Sequence, residues 1–240
     1  MPQIDVTGMD CRAINERLRA EGPECTLTGC CGQRFIAAGM SEKRLTLEGI
    51  PGNALGAYLN GADITVRANA QDAVGDTMND GTIAIFGSVG DAAGYAMRGG
   101  RILVRGSAGY RAGIHMKEYK DKSPLIIIGG AAGSFLGEYQ AGGTIIVLGL
   151  DIGKKRIVGN FPGTGMHGGH MFLRGDWRGL SFPAQVTARL AGPEDMALIE
   201  SDLKDYCRVF GLESGELLSS PYTVVTPDSS NPYHRMYVAN

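Results

Sequence analysis

Seven apolar–x–apolar triplets recur through the chain at a nearly constant interval. They are Leu45-Thr-Leu47, Ile64-Thr-Val66, Ile83-Ala-Ile85, Ile102-Leu-Val104, Ile126-Ile-Ile128, Ile145-Ile-Val147 and Met171-Phe-Leu173. Their first residues lie 19, 19, 19, 24, 19 and 26 positions apart. Removing an insertion of 5 around residues 117–123 and one of 7 around residues 150–156 leaves every interval at 19. Cys25-Thr-Leu27 precedes the first triplet by 20 residues and reads as an irregular first turn. Each triplet places its two apolar residues on one face of a short strand. The connection to the next strand is too short for the helix of an ordinary parallel crossover. A chain that winds once per 19 residues and lays each strand beside its predecessor meets both conditions. The expected fold is therefore mainly β, a single-stranded parallel β-helix of about seven to eight coils. One interior column runs Leu45, Ile64, Ile83, Ile102, Ile126, Ile145, Met171, and a second runs Leu47, Val66, Ile85, Val104, Ile128, Val147, Leu173.

The 37 glycines among 240 residues are about twice the usage of ~7% in an average protein. Runs such as Gly87-Ser-Val-Gly90-Asp-Ala-Ala-Gly94 and Gly106-Ser-Ala-Gly109-Tyr-Arg-Ala-Gly113 resemble phosphate-binding loops in spacing. The spacing repeats with the coil, however. Eleven positions after the first strand residue stand Gly56, Gly75, Gly94, Gly113 and Gly137. A P-loop is a single loop closed by Gly-Lys-Ser/Thr, which is absent here. A dinucleotide fingerprint opens a helix, which glycine at this density forbids. The glycines mark sharp turns of the coil that require positive φ. Fourteen positions on runs a third apolar column, Leu59, Met78, Met97 and Met116, joined by Met166 once the second insertion is removed.

Both ends of such a rod expose a strand edge and an apolar cross-section. Residues 10–20 form a short helical pattern with Asp10 as N-cap and Ile14 and Leu18 on its apolar face. Residues 193–210 carry Met196, Ile199, Leu203, Tyr206 and Phe210 at helical spacing, with Pro193 at the first position and Gly211 as the stop. These read as helical caps at both ends. The chain divides into a cap (1–24), the β-helix (25–185) and a C-terminal helix with an extended tail (186–240). The tail carries Tyr222, Tyr233 and Tyr237, and packs on its own rod or on another subunit. The net charge of −2 gives no electrostatic case for nucleic acid or an anionic membrane. There is no run of 18 apolar residues to span a membrane. MPQIDVTGMD has neither the basic nor the apolar region of a signal peptide. Five scattered cysteines suit a reducing cytoplasm better than a disulfide framework.

Several runs in order, PGNALGAYLNGADITVRANAQDAVGDTMNDG, GYAMRGGRILVRGSAGYRAGIHMKEYKDK, GEYQAGGTIIVLGL and VGNFPGTGMHGG, resemble the C-terminal GXGXG β-helix domain of the glutamate synthase large subunit. More distantly they resemble the β-helix subunit of formylmethanofuran dehydrogenase. The resemblance implies a right-handed β-helix with no catalytic residue of its own, packed against glutaminase and FMN-binding synthase parts. The chain begins Met1-Pro2, without the family's amino-terminal nucleophilic cysteine, and holds no synthase barrel. The resemblance thus implies a structural or assembly subunit of a split glutamate synthase, with FMN and an iron–sulfur cluster in partner subunits. The alternatives are a β-helix subunit of another oxidoreductase complex, or an independent β-helix enzyme.

No catalytic, cofactor-binding or metal site is expected in the chain itself. The polar residues that stand out as candidate interface or functional groups are Arg111, His115 and Lys117 in GYRAGIHMK, and His167 and His170 in GMHGGH. His167 and His170 have metal-ligand spacing but no third ligand nearby in sequence. His115 precedes the core Met116 and reads as a hydrogen-bonded turn residue. Asp72 and Asp76 could pair as in carbohydrate-cleaving β-helices, but the chain has one tryptophan, Trp177, to line a sugar groove. Cys25 falls on a core column, and Cys25, Cys30 and Cys31 match no strong metal spacing. The two insertions carry Lys117, Lys120, Lys122, Lys154, Lys155 and Arg156, and are expected on neighbouring parts of the rod as a partner contact.

Overall fold

The computed structural model describes residues 2–228. Nine strands pair in parallel and in chain order. They are β1 (Gln3–Asp5), β2 (Glu24–Cys31), β3 (Arg44–Ile50), β4 (Asn60–Val66), β5 (Asp80–Ile85), β6 (Arg101–Val104), β7 (Leu125–Ile128), β8 (Ala141–Val147) and β9 (Gly168–Arg174). This is a parallel β-solenoid, with one coil for each strand from β2 to β9. The register is the one read from the sequence: Ile64 lies opposite Ile83, Ile83 opposite Ile102, and Ile102 opposite Ile126. Both interior columns are buried from Cys25 and Leu27 through to Met171 and Leu173. Cys25 is indeed a core residue.

Each coil leaves its strand, makes a one-residue bridge to its neighbour, and then turns back. The bridging residues Ala70, Val89, Ala108, Ala132 and Val158 form a second parallel column. The turn alternates left-handed residues with ordinary ones. In one coil these are Ala92 (φ 56), Gly94 (φ 71) and Ala96 (φ 50); in the next, Arg111 (φ 57), Gly113 (φ 72) and His115 (φ 56). The alternation has a hydrogen-bonding reason. Arg111 and His115 donate their N–H forward, to the carbonyls of Ser134 and Glu138, while Gly113 donates backward to Ala93. Both neighbouring coils are thereby satisfied from one turn. The middle position must be glycine because it faces inward: a Cβ on Gly94 would stand 2.4 Å from Ile126 Cδ1.

At the N-terminal end, α1 (Cys11–Ala20) starts at Asp10, whose carboxylate accepts the Ala13 N–H at 2.8 Å. Ile14 and Leu18 join the rod's core, and Asn15 accepts the Ala37 N–H. Strand β1, outside the expected repeat, lies beyond β2 and buries Ile4.

The C-terminal part differs from the expected end cap. Helix α2 spans Pro193–Phe210 as expected, but lies along the flank of the sheet. Its Ile199, Leu203 and Tyr206 cover the outward-facing Leu103, Ile127, Ile146 and Phe172. Arg101 on β6 ties it down through Asp202 and Asp205 at 2.7 and 2.9 Å. Over its described part the tail packs on its own rod. After a short helix α3 (Gly215–Ser219), strand β11 (Tyr222–Pro227) pairs antiparallel with β9, and β10 (Val186–Leu190) pairs antiparallel with β11. These strands, with Trp177, Leu180 and Phe182, close the far end of the core. Tyr222 is buried against its own rod, while Tyr233 and Tyr237 lie outside the described residues.

Helix α2 begins at Gly192, whose N–H is accepted by Asp195 at 2.8 Å. Arg189 hydrogen-bonds the same carboxylate and holds it below the usual aspartate range. Losing a helix cap costs about 0.5–2 kcal/mol, the loss expected for Asp195→Ala in denaturant titration. Because the folded carboxyl is the more acidic one, its contribution is complete above the unfolded pKa and fades as pH falls through the lower folded value. The wild-type and variant stability curves should converge in acid. Parallel curves down to the acid limit would remove Asp195 from this role.

Candidate functional site

The left-handed turns carry bulky residues on their outer side. Tyr58, Arg111, His115, Phe135, Tyr139 and Phe161 all have positive φ. Such a conformation costs about 1–2 kcal/mol per non-glycine residue and persists only where neighbours enforce it. Here the adjacent coils enforce it through the alternating hydrogen bonds. Stacked coils then align the side chains into two ladders of rings. Tyr110, Phe135 and Phe161 follow one another at centroid separations of 5.5 and 5.3 Å. Tyr95, His115 and Tyr139 follow at 5.9 and 5.1 Å, the last pair stacked with planes nearly parallel at 10°.

Arg111 packs on the first ladder. Its guanidinium lies 5.2 Å from the Tyr110 ring and 5.1 Å from the Phe135 ring. Its Nε donates to Glu138 Oε2 at 2.7 Å, and Glu138 is buried. The hydrogen bond that Arg111 donates to Glu138 raises the Arg111 pKa, so the side chain stays charged. The result is an aromatic face with the Arg111–Glu138 ion pair set into it. Tyr95, Tyr110 and Phe161 remain 41%, 40% and 55% exposed. Exposed rings in contact with one another form a contiguous patch rather than scattered surface residues, and so a candidate binding surface.

The structure therefore unites Arg111 and His115 and separates them from the other candidates. Lys117 is exposed beside the first insertion, on the upstream side of the strands. Its column is Asn60, Asn79, Arg98, Lys117, Ala141 and His167, each donating its N–H to the coil before it. His167 Nδ1 sits 3.0 Å from the Gly165 carbonyl. His170 lies opposite Thr144 on β9, 6.3 Å from the Phe172 ring. No group of three or more His, Cys, Asp and Glu among the described residues is placed to hold a metal ion.

Asp72 and Asp76 do not form a carboxylate pair. Asp72 Oδ1 accepts the Asp91 N–H one coil on, at 2.9 Å, and Asp91 accepts the Tyr110 N–H in the same way. Asp76 instead accepts from its neighbour Thr77. Cys30 is buried, and burial pushes its thiol up to about 11. Burial also raises Cys25. Neither has the lowered pKa of an activated nucleophile. The two insertions do not share a face. The first precedes β7 and the second follows β8, so they leave the coil at opposite ends of its strands.

Sequence reading missed Tyr95, Tyr110, Phe135, Glu138, Tyr139 and Phe161. The signal was in the register: Phe135 and Tyr139 occupy the coil positions of Arg111 and His115.

A coiled rod of this kind defines the class of parallel β-solenoids, and the comparisons with known proteins narrow it. The model of the GXGXG motif family matches residues 12–227. The chain belongs to the GXGXG motif family. It is 44% identical over 250 aligned residues to an uncharacterized protein of Methanocaldococcus jannaschii, covering 98% of this chain and 95% of that one. Among solved structures it resembles a chain of the formyltransferase/hydrolase complex (FhcABCD) from Methylorubrum extorquens in complex with methylofuran. That likeness has a TM-score of 0.66 at 20% identity and covers 92% of this chain and 89% of the other, a likeness of fold. No helix among the described residues is long and apolar enough to cross a membrane.

Proposed function

We propose that the chain is a subunit of a multi-subunit complex, that it has no catalytic centre of its own, and that its aromatic turn face is where a larger subunit docks. The observation that carries this reading is the pair of exposed ring ladders held by strained turns around Arg111. Tyrosine, phenylalanine and arginine are enriched at the centres of protein interfaces. The core, filled by aliphatic columns, supports a scaffold rather than an enclosed cofactor site.

The finer reading is a split glutamate synthase. In it, the partners are glutaminase and FMN-binding synthase subunits, FMN and an iron–sulfur cluster reside in those partners, and the rod holds the two active sites in register. Its setting is the cytoplasm, in keeping with the unbridged Cys25, Cys30 and Cys207. A second reading, a role like that of the β-helix subunit of formylmethanofuran dehydrogenase, draws support from the fold likeness to the FhcABCD chain.

Affinity purification of the tagged chain from its own cell, followed by mass spectrometry, tests the proposal and separates the two readings. Stoichiometric glutaminase and flavoprotein favour the first, and formyltransferase or hydrolase subunits the second. Tyr110→Ala combined with Phe161→Ala should strip the partner, since interface hot spots of this type are worth about 2 kcal/mol or more each. The melting temperature should change little, because both rings are exposed. Full partner yield with the double variant would remove this face from the interface.

A further inference from the structure

The first insertion lies on the surface of the rod. It folds back as a strap across earlier coils. Tyr119 and Lys122 exchange backbone hydrogen bonds of 3.1 Å, which closes a tight turn. Glu118 anchors its base by accepting from Ser123 and from the Gly143 N–H. Lys122 anchors its far side on Asp80 at 2.6 Å. Between the strap and the coils lies a groove of about 480 Å³. That volume is within the roughly 300–1,000 Å³ of small-molecule sites.

The chemistry of the groove is mixed in an informative way. Arg98 and Lys120 line it, and neither has a carboxylate partner among the described residues. The groove's third cation, Lys122, is already neutralised by Asp80. Two tyrosines, Tyr58 and Tyr119, present rings that are 58% and 47% exposed. Asn60 and Asn79 offer amides that each donate and accept. Asp121 supplies one carboxylate, an acceptor for hydroxyl or amino groups. Two cations without carboxylate partners match the oxyanion of a phosphate. Exposed tyrosines match a flat ring, and amides with a carboxylate match the edge of a base and the hydroxyls of a sugar.

We propose that this groove binds a nucleoside phosphate, with the phosphate on Arg98 and Lys120 and the ring against Tyr58 or Tyr119. The groove includes neither Arg111 nor the rings of Tyr110, Phe135 and Phe161, and the inference does not depend on the assembly role.

Isothermal titration of the full chain with the four ribonucleoside 5′-monophosphates, and with inorganic phosphate, tests this. At least one nucleotide should bind with one-to-one stoichiometry. Its affinity should fall roughly tenfold or more in Arg98→Ala and in Lys120→Ala, the loss expected for one charge-assisted hydrogen bond. Lys155→Ala, on the other insertion, should leave it unchanged. Inorganic phosphate should bind at least tenfold more weakly. Arg98 and Lys120 are exposed, so unchanged melting will show that the variants fold. The proposal is overturned by no saturable binding of any nucleotide, by phosphate binding as tightly as the nucleotide, or by affinity unaltered in both variants.

Discussion

Gly94→Ala should destabilise the protein by about 2–5 kcal/mol, an unusually large effect for the addition of one methyl group. Two causes combine. An alanine at φ 71 carries about 1–2 kcal/mol of left-handed strain. Its Cβ would also stand 2.4 Å from Ile126 Cδ1, and overpacking of a filled core costs typically 1–3 kcal/mol. The clash names its own remedy. Ile126→Val deletes the offending Cδ1 and alone costs about 0.5–1.5 kcal/mol. The pair should therefore be non-additive, with the double variant more stable than the sum of the singles by about 1 kcal/mol. Strict additivity in urea unfolding would show that Gly94 does not face Ile126. The adjacent Ala92 and Ala96 have the same sign of φ but point outward, which is why alanine is tolerated there.

Ile102→Ala should cost about 2–5 kcal/mol, as for other large-to-small changes in a sealed core. Ile102 is fully buried between Ile83 and Ile126, and its Cδ1 also packs over Gly75. In a solenoid each coil contacts only its neighbours, so a weakened central coil loosens the coupling between the two halves. A reduced denaturant slope, or a second transition, should accompany the loss of stability. A loss near zero would mean that this column is not core.

The inner columns were legible because period and burial coincide: two apolar residues per strand, repeated at a fixed interval, admit few other folds. The position of α2 was encoded too, in a way that the alternation rule hides. Where the helix covers the sheet, the middle residue of the triplet is Leu103, Ile127, Ile146 or Phe172; where it does not, Thr46, Thr65 or Ala84 stands there. Strand β11 was not legible, since Tyr222–Pro227 pairs with residues about fifty positions earlier and nothing local fixes that register. At the candidate site, Arg111 and His115 stood out by charge. The rings around them did not, because only the coil register brings residues 20 to 26 positions apart side by side. The strap groove was hidden for a related reason. Its walls come from Tyr58, Asn79, Arg98 and Tyr119, which are brought together only by an insertion folding back over earlier coils.

In the proposed role the rod assembles active sites and contains none. The most direct test of that role is to purify the 240-residue chain alone, measure bound flavin and glutamine hydrolysis, and then add it to the catalytic subunits recovered with it from the native cell. The account predicts a colourless protein without glutamine hydrolysis that raises the glutamine-dependent turnover of those subunits. Stoichiometric flavin, or hydrolysis of glutamine by the chain alone, would contradict it.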